Sequence, residues 1–119
     1  MGLWKRELGQ AGEDLAARFL KQQGFSILER NVRSRFGEID LVALKKREIY
    51  IVEVKTRSSD DYGEPIESVP WHRLRRLKKM AEWYLQRRKA SNAMAHLSLL
   101  GVDHSQTPPA ITFLPDILE

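Results

Sequence analysis

The first apolar pattern along the chain has the spacing of an amphipathic helix. It extends from Lys5 to Gln23, and its apolar positions are Leu8, Leu15, Ala16, Phe19 and Leu20. Residues at this spacing share one face of a helix, and that face is normally buried. Gly24 follows directly, and glycine is a common residue just beyond a helix C-terminus. The pattern therefore predicts a first helix that ends before Gly24.

Three segments that alternate between apolar and polar residues come next and predict strands. The second and third run from Gly37 to Leu44 and from Glu48 to Thr56, and the polar turn between them predicts a hairpin. The first is "FSILERN", residues 25–31, and the residues expected on one of its sides are Phe25, Ile27 and Glu29.

The second half of the chain opens with the polar segment "SSDDYGEPIESVP", which predicts an exposed loop. A second helix is predicted from Pro70 to Lys89, with a buried stripe of Leu74, Leu77, Ala81, Tyr84 and Leu85. Residues 96–102 and 110–114 predict two short terminal strands. The order α-β-β-β-α-β-β indicates an α/β fold in which a mixed sheet is flanked by helices.

Composition narrows the class of protein. The chain has 119 residues, 42% of them apolar, which suits a single domain over 1–119. It contains no run of about 18 apolar residues and no signal-peptide core at its start, so a cytoplasmic protein without a membrane partner is expected. The absence of cysteine excludes disulfides, thiolate nucleophiles and cysteine-bound zinc. A formal charge of +4 favours polyanionic partners.

The predicted hairpin carries charged residues among its apolar ones. Alternation places Glu38 and Asp40 on one face of their strand and Glu53 and Lys55 on one face of the next. With a turn over 45–48, Asp40 lies opposite Glu53, and Glu38 lies opposite Lys55. Opposed carboxylates repel at short range, so a protein that keeps such a pair either protonates one member or places a cation between them.

Two carboxylates and a nearby lysine suit a divalent cation that acts on phosphate. Mg²⁺ prefers oxygen ligands and is commonly held by one or two carboxylates together with substrate phosphate. Lys55 would then orient the attacking water or neutralise charge on the phosphate. The alternative is a structural ion pair in which Lys55 neutralises Glu53 or Glu38, as charges in strand ends often do.

The motif over these strands resembles that of a known nuclease group. "GEID" is followed after twelve intervening residues by "EVK", which is similar to the PD-(D/E)xK nuclease superfamily. More closely, "GQAGEDLAARFLKQQGFSILERNVRSRFGEIDLVAL" and "IYIVEVKTR" resemble the YraN-like uncharacterised protein family, relatives of the archaeal Holliday-junction resolvases. Two positions depart from the pattern: Ile39 replaces the superfamily's proline, and Ser98 stands where relatives carry an acidic residue.

The resemblance implies a restriction-endonuclease-like fold and assigns roles to residues. Asp40 and Glu53 match the metal ligands, with the backbone carbonyl of Val54 as a further ligand. Lys55 matches the catalytic lysine, and Glu13 matches an acid on the first helix that completes such sites. Considered by itself, Glu13 lies at the edge of the apolar stripe, so a solvated charge near a helix N-terminus is an equal alternative.

The second predicted helix carries basic residues beside its apolar stripe. Those nearest its start are Arg73, Arg75, Arg76, Lys78 and Lys79. Such a face binds phosphates by counterion release and carries little sequence information. The alternatives are a solvated surface, a membrane surface or an acidic protein partner. The aromatic residues Trp71, Trp83 and Tyr84 are interpreted as packing residues rather than as base-stacking platforms.

Together, the motif and the resemblance predict a Mg²⁺- or Mn²⁺-dependent endonuclease that acts on DNA. The resolvase resemblance suggests branched DNA, and symmetric cleavage of two strands would call for a twofold homodimer. Two alternatives stay open. One is a nucleic-acid-binding module that has the fold without the activity, and the other is a structural or adaptor domain.

Overall fold

The computed structural model describes residues 2–58, 70–90 and 93–117, with side chains from residue 9 onward. Its elements are α1 (Gly2–Gln22), β1 (Ser26–Ser34), β2 (Gly37–Lys45), β3 (Glu48–Arg57), α2 (Trp71–Arg87), β4 (Ala95–Asp103) and β5 (Ala110–Leu114). The predicted order of elements is confirmed, with bounds that differ by a few residues. Most of the predicted loop after β3 lies outside the described residues.

The five strands form a mixed sheet in the order β1-β2-β3-β4-β5. Neighbouring strands are antiparallel except β3 and β4, which are parallel. A parallel pair needs a crossover connection, and α2 lies between these two strands in the chain. This arrangement confirms the predicted mixed sheet flanked by helices, with the elements in the predicted order.

The two helices pack on opposite faces of the sheet. The cluster around α2 includes Val42 and Ile51, whereas the cluster around α1 includes Leu41 and Val52. Adjacent residues of each strand thus enter different clusters, as strand alternation requires. Both faces of the central strands are buried, and this explains why the segments are apolar on both sides.

Helix α1 ends before Gly24, as the sequence predicted. Gly24 has φ +94°, a value that glycine adopts readily. Its N–H donates to the Lys21 carbonyl at 3.1 Å, and the Phe25 N–H donates to the Leu20 carbonyl at 2.9 Å. These bonds form a Schellman motif, which directs the chain from α1 into β1.

The expectation that Ile27 and Glu29 share a face of β1 is wrong. Ile27 packs in the cluster beside α1, whereas Glu29 Oε2 accepts a hydrogen bond of 2.6 Å from the Tyr84 hydroxyl of α2. The pairing of β1 with β2 shifts register between these two residues. An extra residue in one strand interrupts the alternation, and a single sequence gives no sign of where it lies.

The hairpin of β2 and β3 has the predicted register. Leu44 pairs with Ile49 and Val42 pairs with Ile51, through a two-residue turn in which Lys46 and Arg47 both have positive φ. Pairing between the strands ends at Leu41 and Val52. Beyond that point the start of β2 pairs with β1, and the end of β3 pairs with β4. The two strands therefore separate where Asp40 and Glu53 are located, so the predicted pairing of Asp40 with Glu53 and of Glu38 with Lys55 is not formed.

Ser98 contributes to packing. Its side chain is fully buried, and its hydroxyl donates to the Pro115 carbonyl at 2.7 Å. Ser98 thus ties β4 to the segment that follows β5. No carboxylate is present at this position, so Ser98 adds no charge to the sheet.

Candidate active site

Asp40 lies at the point where β2 and β3 separate. Its Oδ2 accepts a hydrogen bond of 2.8 Å from the Val54 N–H. Burial raises the pKa of Asp40 from its ordinary value of 3.8 to about 7, against the opposing effect of the Val54 bond. The negative charges of Glu13, Glu53 and Glu38 contribute to the same rise, and the value of about 7 includes them. The structure therefore brings Asp40 and both other predicted acids, Glu13 and Glu53, within electrostatic reach of one another.

Glu53 is the most buried of the acids whose ion pairs the structure records, with 15% of its side chain exposed. Its Oε2 is buried and has no hydrogen-bond partner among the described residues. Arg73 of α2 is its ion-pair partner, but Nη1 of that arginine lies 3.7 Å away, beyond hydrogen-bond length. A buried carboxylate oxygen without a donor is costly, and such an atom is a common sign of a site for a cation.

Glu13 is held at this site by its position on α1. A Cβ atom at the preceding residue, Gly12, would collide with Thr56 Oγ1, so glycine lets α1 approach the end of β3 closely. The Glu13 side chain is 18% exposed, and Arg30 Nη2 lies 3.9 Å from its Oε1. Burial raises the Glu13 pKa, and Arg30 and Asn31 oppose the rise. A fully solvated Glu13 is therefore excluded.

Asn31 was missed by the sequence reasoning. When the oxygen and nitrogen of its side-chain amide are exchanged so that both have suitable partners, the nitrogen donates to Glu13 Oε1 at 3.0 Å and to Glu38 Oε1 at 3.1 Å. Asn31 has φ +52°, which asparagine tolerates better than most residues. The only signal in the sequence is an asparagine inside a predicted strand.

The alternative in which Lys55 forms an ion pair with Glu53 or Glu38 is wrong. Glu38 Oε2 instead lies 3.7 Å from Arg33 Nε on β1, and Glu53 pairs with Arg73. Within the described part of the chain, Lys55 forms no ion pair with either acid. It lies two residues beyond Glu53 on the same face of β3, so it brings a positive charge to that face.

The backbone of Val54 also faces the gap between β2 and β3. Its N–H is directed at Asp40, and the N–H and C=O of one strand residue point to the same side. The Val54 carbonyl is thus directed to the same side as its N–H, toward the gap; its role as a metal ligand stays a prediction. Among the described residues, no three His, Asp or Glu side chains are grouped closely enough to hold a metal ion by themselves.

The basic residues of α2 separate into two groups. Arg75, Arg76, Lys78 and Lys79 are exposed, as predicted. Arg73 is directed at Glu53 instead. At the other end of the helix, Arg87 and Arg88 lie 3.6 and 3.8 Å from Glu29. Arg87 and Arg88 are exposed as well but pair with Glu29, so the exposed cations of α2 without a recorded ion pair among the described residues lie in its first half.

A groove follows this charged half of α2. It has a volume of about 330 Å³ and is lined by Phe36, His72, Arg75, Arg76 and Lys79. Tyr84 is fully buried and Trp83 packs against the core, so the prediction that they are packing residues is confirmed. The same prediction for Trp71 is wrong, because 68% of that residue is exposed.

Comparison with known proteins identifies relatives over most of the chain. Residues 12–102 match the uncharacterised protein family UPF0102. The chain belongs to that family. The match spans Glu13, Asp40, Glu53, Lys55 and the basic part of α2, so every predicted site residue lies within the UPF0102 region.

Several UPF0102 proteins are similar over a large part of their length. One from Caldicellulosiruptor saccharolyticus is 45% identical over 98 residues, which is 82% of this chain and 83% of that protein. One from Geobacter metallireducens is 38% identical over the whole of this chain and 98% of its own. One from Syntrophomonas wolfei is 51% identical over 68% of this chain and 70% of its own.

Among solved structures, this UPF0102 chain is similar to SfsA of Pyrococcus furiosus, determined in complex with Ca²⁺. The identity is 16% and the TM-score is 0.44, over 93% of this chain and 63% of SfsA. Neither described helix of the UPF0102 chain is sufficiently long and apolar to span a membrane.

Proposed function

We propose that this protein is a metal-dependent endonuclease that hydrolyses phosphodiester bonds in DNA. The observation that carries the proposal is that two partly buried acids, Glu13 and Glu53, lie within electrostatic reach of Asp40 where β2 and β3 separate, with the more exposed Glu38 adding to the negative charge. A fold gains no stability from burying like charges together, so such a cluster favours a function that needs them.

The residues present fit Mg²⁺ or Mn²⁺. The donors are carboxylate and carbonyl oxygens, which hard cations prefer. Glu53 Oε2 is buried without a hydrogen-bond donor among the described residues, and a bound cation would satisfy it. Asp40 and Glu53 would hold the ion, with the Val54 carbonyl as a third protein ligand. Water and a substrate phosphate would complete the coordination, because Mg²⁺ normally keeps several such ligands.

A divalent cation in this site would polarise the scissile phosphate and lower the pKa of the attacking water. The protein's own residues supply the rest. Lys55 places a positive charge beside Glu53, where it would orient the water and stabilise the phosphate oxygens as they gain negative charge. Water would attack phosphorus and give its proton to solvent, the bond from phosphorus to the leaving oxygen would break, and that oxygen would take up a proton from solvent. Glu13 adds a negative charge that strengthens retention of the cation.

The exposed residues Arg75, Arg76, Lys78 and Lys79 would hold the DNA backbone. Arg73 connects this surface to the site, because it lies on the same helix and pairs with Glu53. A cation at Glu53 would release Arg73 from that carboxylate, and the freed guanidinium would then be available to phosphate.

One observation favours a second function, a nucleic-acid-binding module without activity. The described residues include no group of three acidic or histidine side chains that could hold a metal ion. In that case the basic half of α2 would bind DNA and no strand would be cut.

The deciding experiment is a cleavage assay on labelled linear, flapped and four-way DNA, with and without Mn²⁺. The matched control is the Asp40→Asn/Glu53→Gln double variant, which keeps the shape of both side chains. Cleavage by the wild type alone, and only with Mn²⁺, is the expected result. Binding without cleavage on all three substrates would favour the second function, and equal cleavage by both proteins would contradict the proposed site.

A further inference from the structure

Trp71 presents a large aromatic surface to solvent at the start of α2. It is 68% exposed, and Met94 is the other large apolar residue exposed to a similar degree among the described residues. Arg75, one turn further along α2, lies over the indole with its Cζ 4.7 Å from the ring centroid. The guanidinium lies over one face of the ring, and with 68% of the residue exposed the indole still presents aromatic surface on which a planar ligand could stack.

Arg75, which lies over Trp71, also lines the groove on this part of α2, and the groove combines cationic side chains with the aromatic ring of Phe36. Arg75, Arg76 and Lys79 all line this groove, and Lys79 lies one helical turn beyond the two arginines. Phe36 lies in the turn between β1 and β2, and Lys79 Nζ is 5.9 Å from its ring centroid. The volume of about 330 Å³ is within the range of pockets that bind small organic groups.

This surface is continuous with the candidate active site. Arg73 pairs with Glu53, and Arg76, on the next turn, lies beside Gly37 at the start of β2. A nucleic acid strand that is bound along the groove would therefore extend to the gap between β2 and β3, in which Asp40 is located.

We propose that Trp71 and the groove bind unpaired nucleotides. A base stacks on the exposed aromatic surface of Trp71, while phosphates lie along Arg75, Arg76 and Lys79. Within a duplex, each base is stacked between its neighbours and offers no face to a protein ring, whereas unpaired bases do. The protein therefore selects nucleic acid with single-stranded or splayed positions over uninterrupted duplex. This inference rests on the proposed function, because it specifies the substrate of that site.

The test is a binding measurement that does not depend on cleavage. Fluorescence anisotropy of the full chain is measured in EDTA with one labelled oligonucleotide, as a single strand and as a duplex. Trp71→Ala should weaken single-strand binding about fivefold or more, the lower limit for loss of one stacked base, and leave duplex binding unchanged. Trp71→Phe should retain single-strand affinity, because the phenyl ring also stacks. Met94→Ala, which removes a similarly exposed apolar side chain, should have no effect.

Tryptophan fluorescence provides an independent readout. A single strand should quench wild-type emission, and Trp71→Phe should remove that part of the quenching while binding persists. Equal affinity of the wild type for single strand and duplex, or an equal loss on both for Trp71→Ala, overturns the inference.

Cleavage is measured separately on the same proteins. If the wild type cuts DNA but shows no preference for unpaired nucleotides, the inference fails and the endonuclease stands. If it prefers single strands through Trp71 but cuts nothing, the endonuclease fails and the stacking site stands.

Discussion

The Asp40 carboxylate accepts a hydrogen bond from the Val54 backbone, with 2.8 Å between Asp40 Oδ2 and Val54 N. This bond joins β2 to β3 just beyond their last paired residues, Leu41 and Val52. A side chain thus replaces a backbone acceptor at the position where the strands separate. The replacement holds a carboxylate in the opening, beside Glu53, and the charge of that carboxylate has measurable consequences for stability and for metal binding.

The first prediction concerns the double variant Asp40→Asn/Glu53→Gln without divalent metal. We expect its free energy of unfolding to equal or exceed that of the wild type, because neutral amides do not repel one another and the new asparagine retains an oxygen for the Val54 N–H. Glu53→Gln removes the partner of Arg73, but that arginine is partly exposed and can be solvated. Chemical denaturation in EDTA measures the difference. A loss of about 3–5 kcal/mol, as for a broken buried ion pair, would show that the charges are structural.

The second prediction concerns pH. Asp40 has a pKa of about 7 in the folded protein and 3.8 ordinarily. Between these values the folded state retains a proton that the unfolded state has released, so the stability of the metal-free protein should fall as pH rises from about 4 to about 7. Above that range the contribution of Asp40 is constant. The slope from one such group is at most about 1.4 kcal/mol per pH unit.

Asp40→Asn isolates this contribution. The difference in unfolding free energy between variant and wild type should grow in favour of the variant as pH rises to about 7, and then level off. Parallel stability profiles for the two proteins would contradict the raised pKa of Asp40.

The third prediction concerns divalent metal. Mg²⁺ or Mn²⁺ that binds only the folded state should raise the melting temperature with increasing concentration by mass action. Melting is measured with and without a DNA oligonucleotide, since phosphate would supply a ligand. The double variant should show no such rise. An unchanged wild-type melting temperature at millimolar metal in both conditions would argue against the site.

The fourth prediction tests how Glu13 is positioned. Gly12→Ala should destabilise the protein by about 1–3 kcal/mol, because its Cβ would collide with the Thr56 hydroxyl. Gly9→Ala is the matched control in the same helix, because a Cβ atom there has no described atom within 4 Å. It should stabilise α1 by about 0.5–1 kcal/mol. In the Gly12→Ala background, Thr56→Ala should restore much of the lost unfolding free energy. If it does not, the destabilisation does not come from a collision with Thr56.

The fifth prediction concerns the basic face. Arg75→Ala/Lys79→Ala should weaken DNA binding to a similar extent for unrelated sequences. The variant should also flatten the plot of the logarithm of the binding constant against the logarithm of salt concentration. The slope should change by about 0.9 for each phosphate that the variant no longer neutralises. Arg18→Ala/Lys21→Ala removes the same charge from exposed positions of α1 and serves as the control. Equal effects of the two pairs would indicate attraction by net charge alone.

Local features of the fold could be predicted from the sequence. Gly24 specifies the end of α1, because few other residues adopt its φ without strain. The register of β2 and β3 follows from a short turn and a period of two, which places Asp40 and Glu53 at corresponding positions just beyond the paired part of the hairpin. The exposed positions of Arg75 and Lys79 likewise follow from helical spacing beside an apolar stripe.

Only the tertiary structure decided which partners these residues meet. Glu13 reaches the site because Gly12 allows α1 to approach β3, and Asn31 joins it through an irregular backbone conformation in β1. The partner of Glu53 is Arg73 from α2 rather than Lys55, two residues away on its own strand. Periodicity describes which side of an element a residue occupies, but the residue it contacts depends on how distant elements pack. Trp71 illustrates the same limit. Its side chain is as apolar as that of a core residue, but it remains exposed at the start of α2.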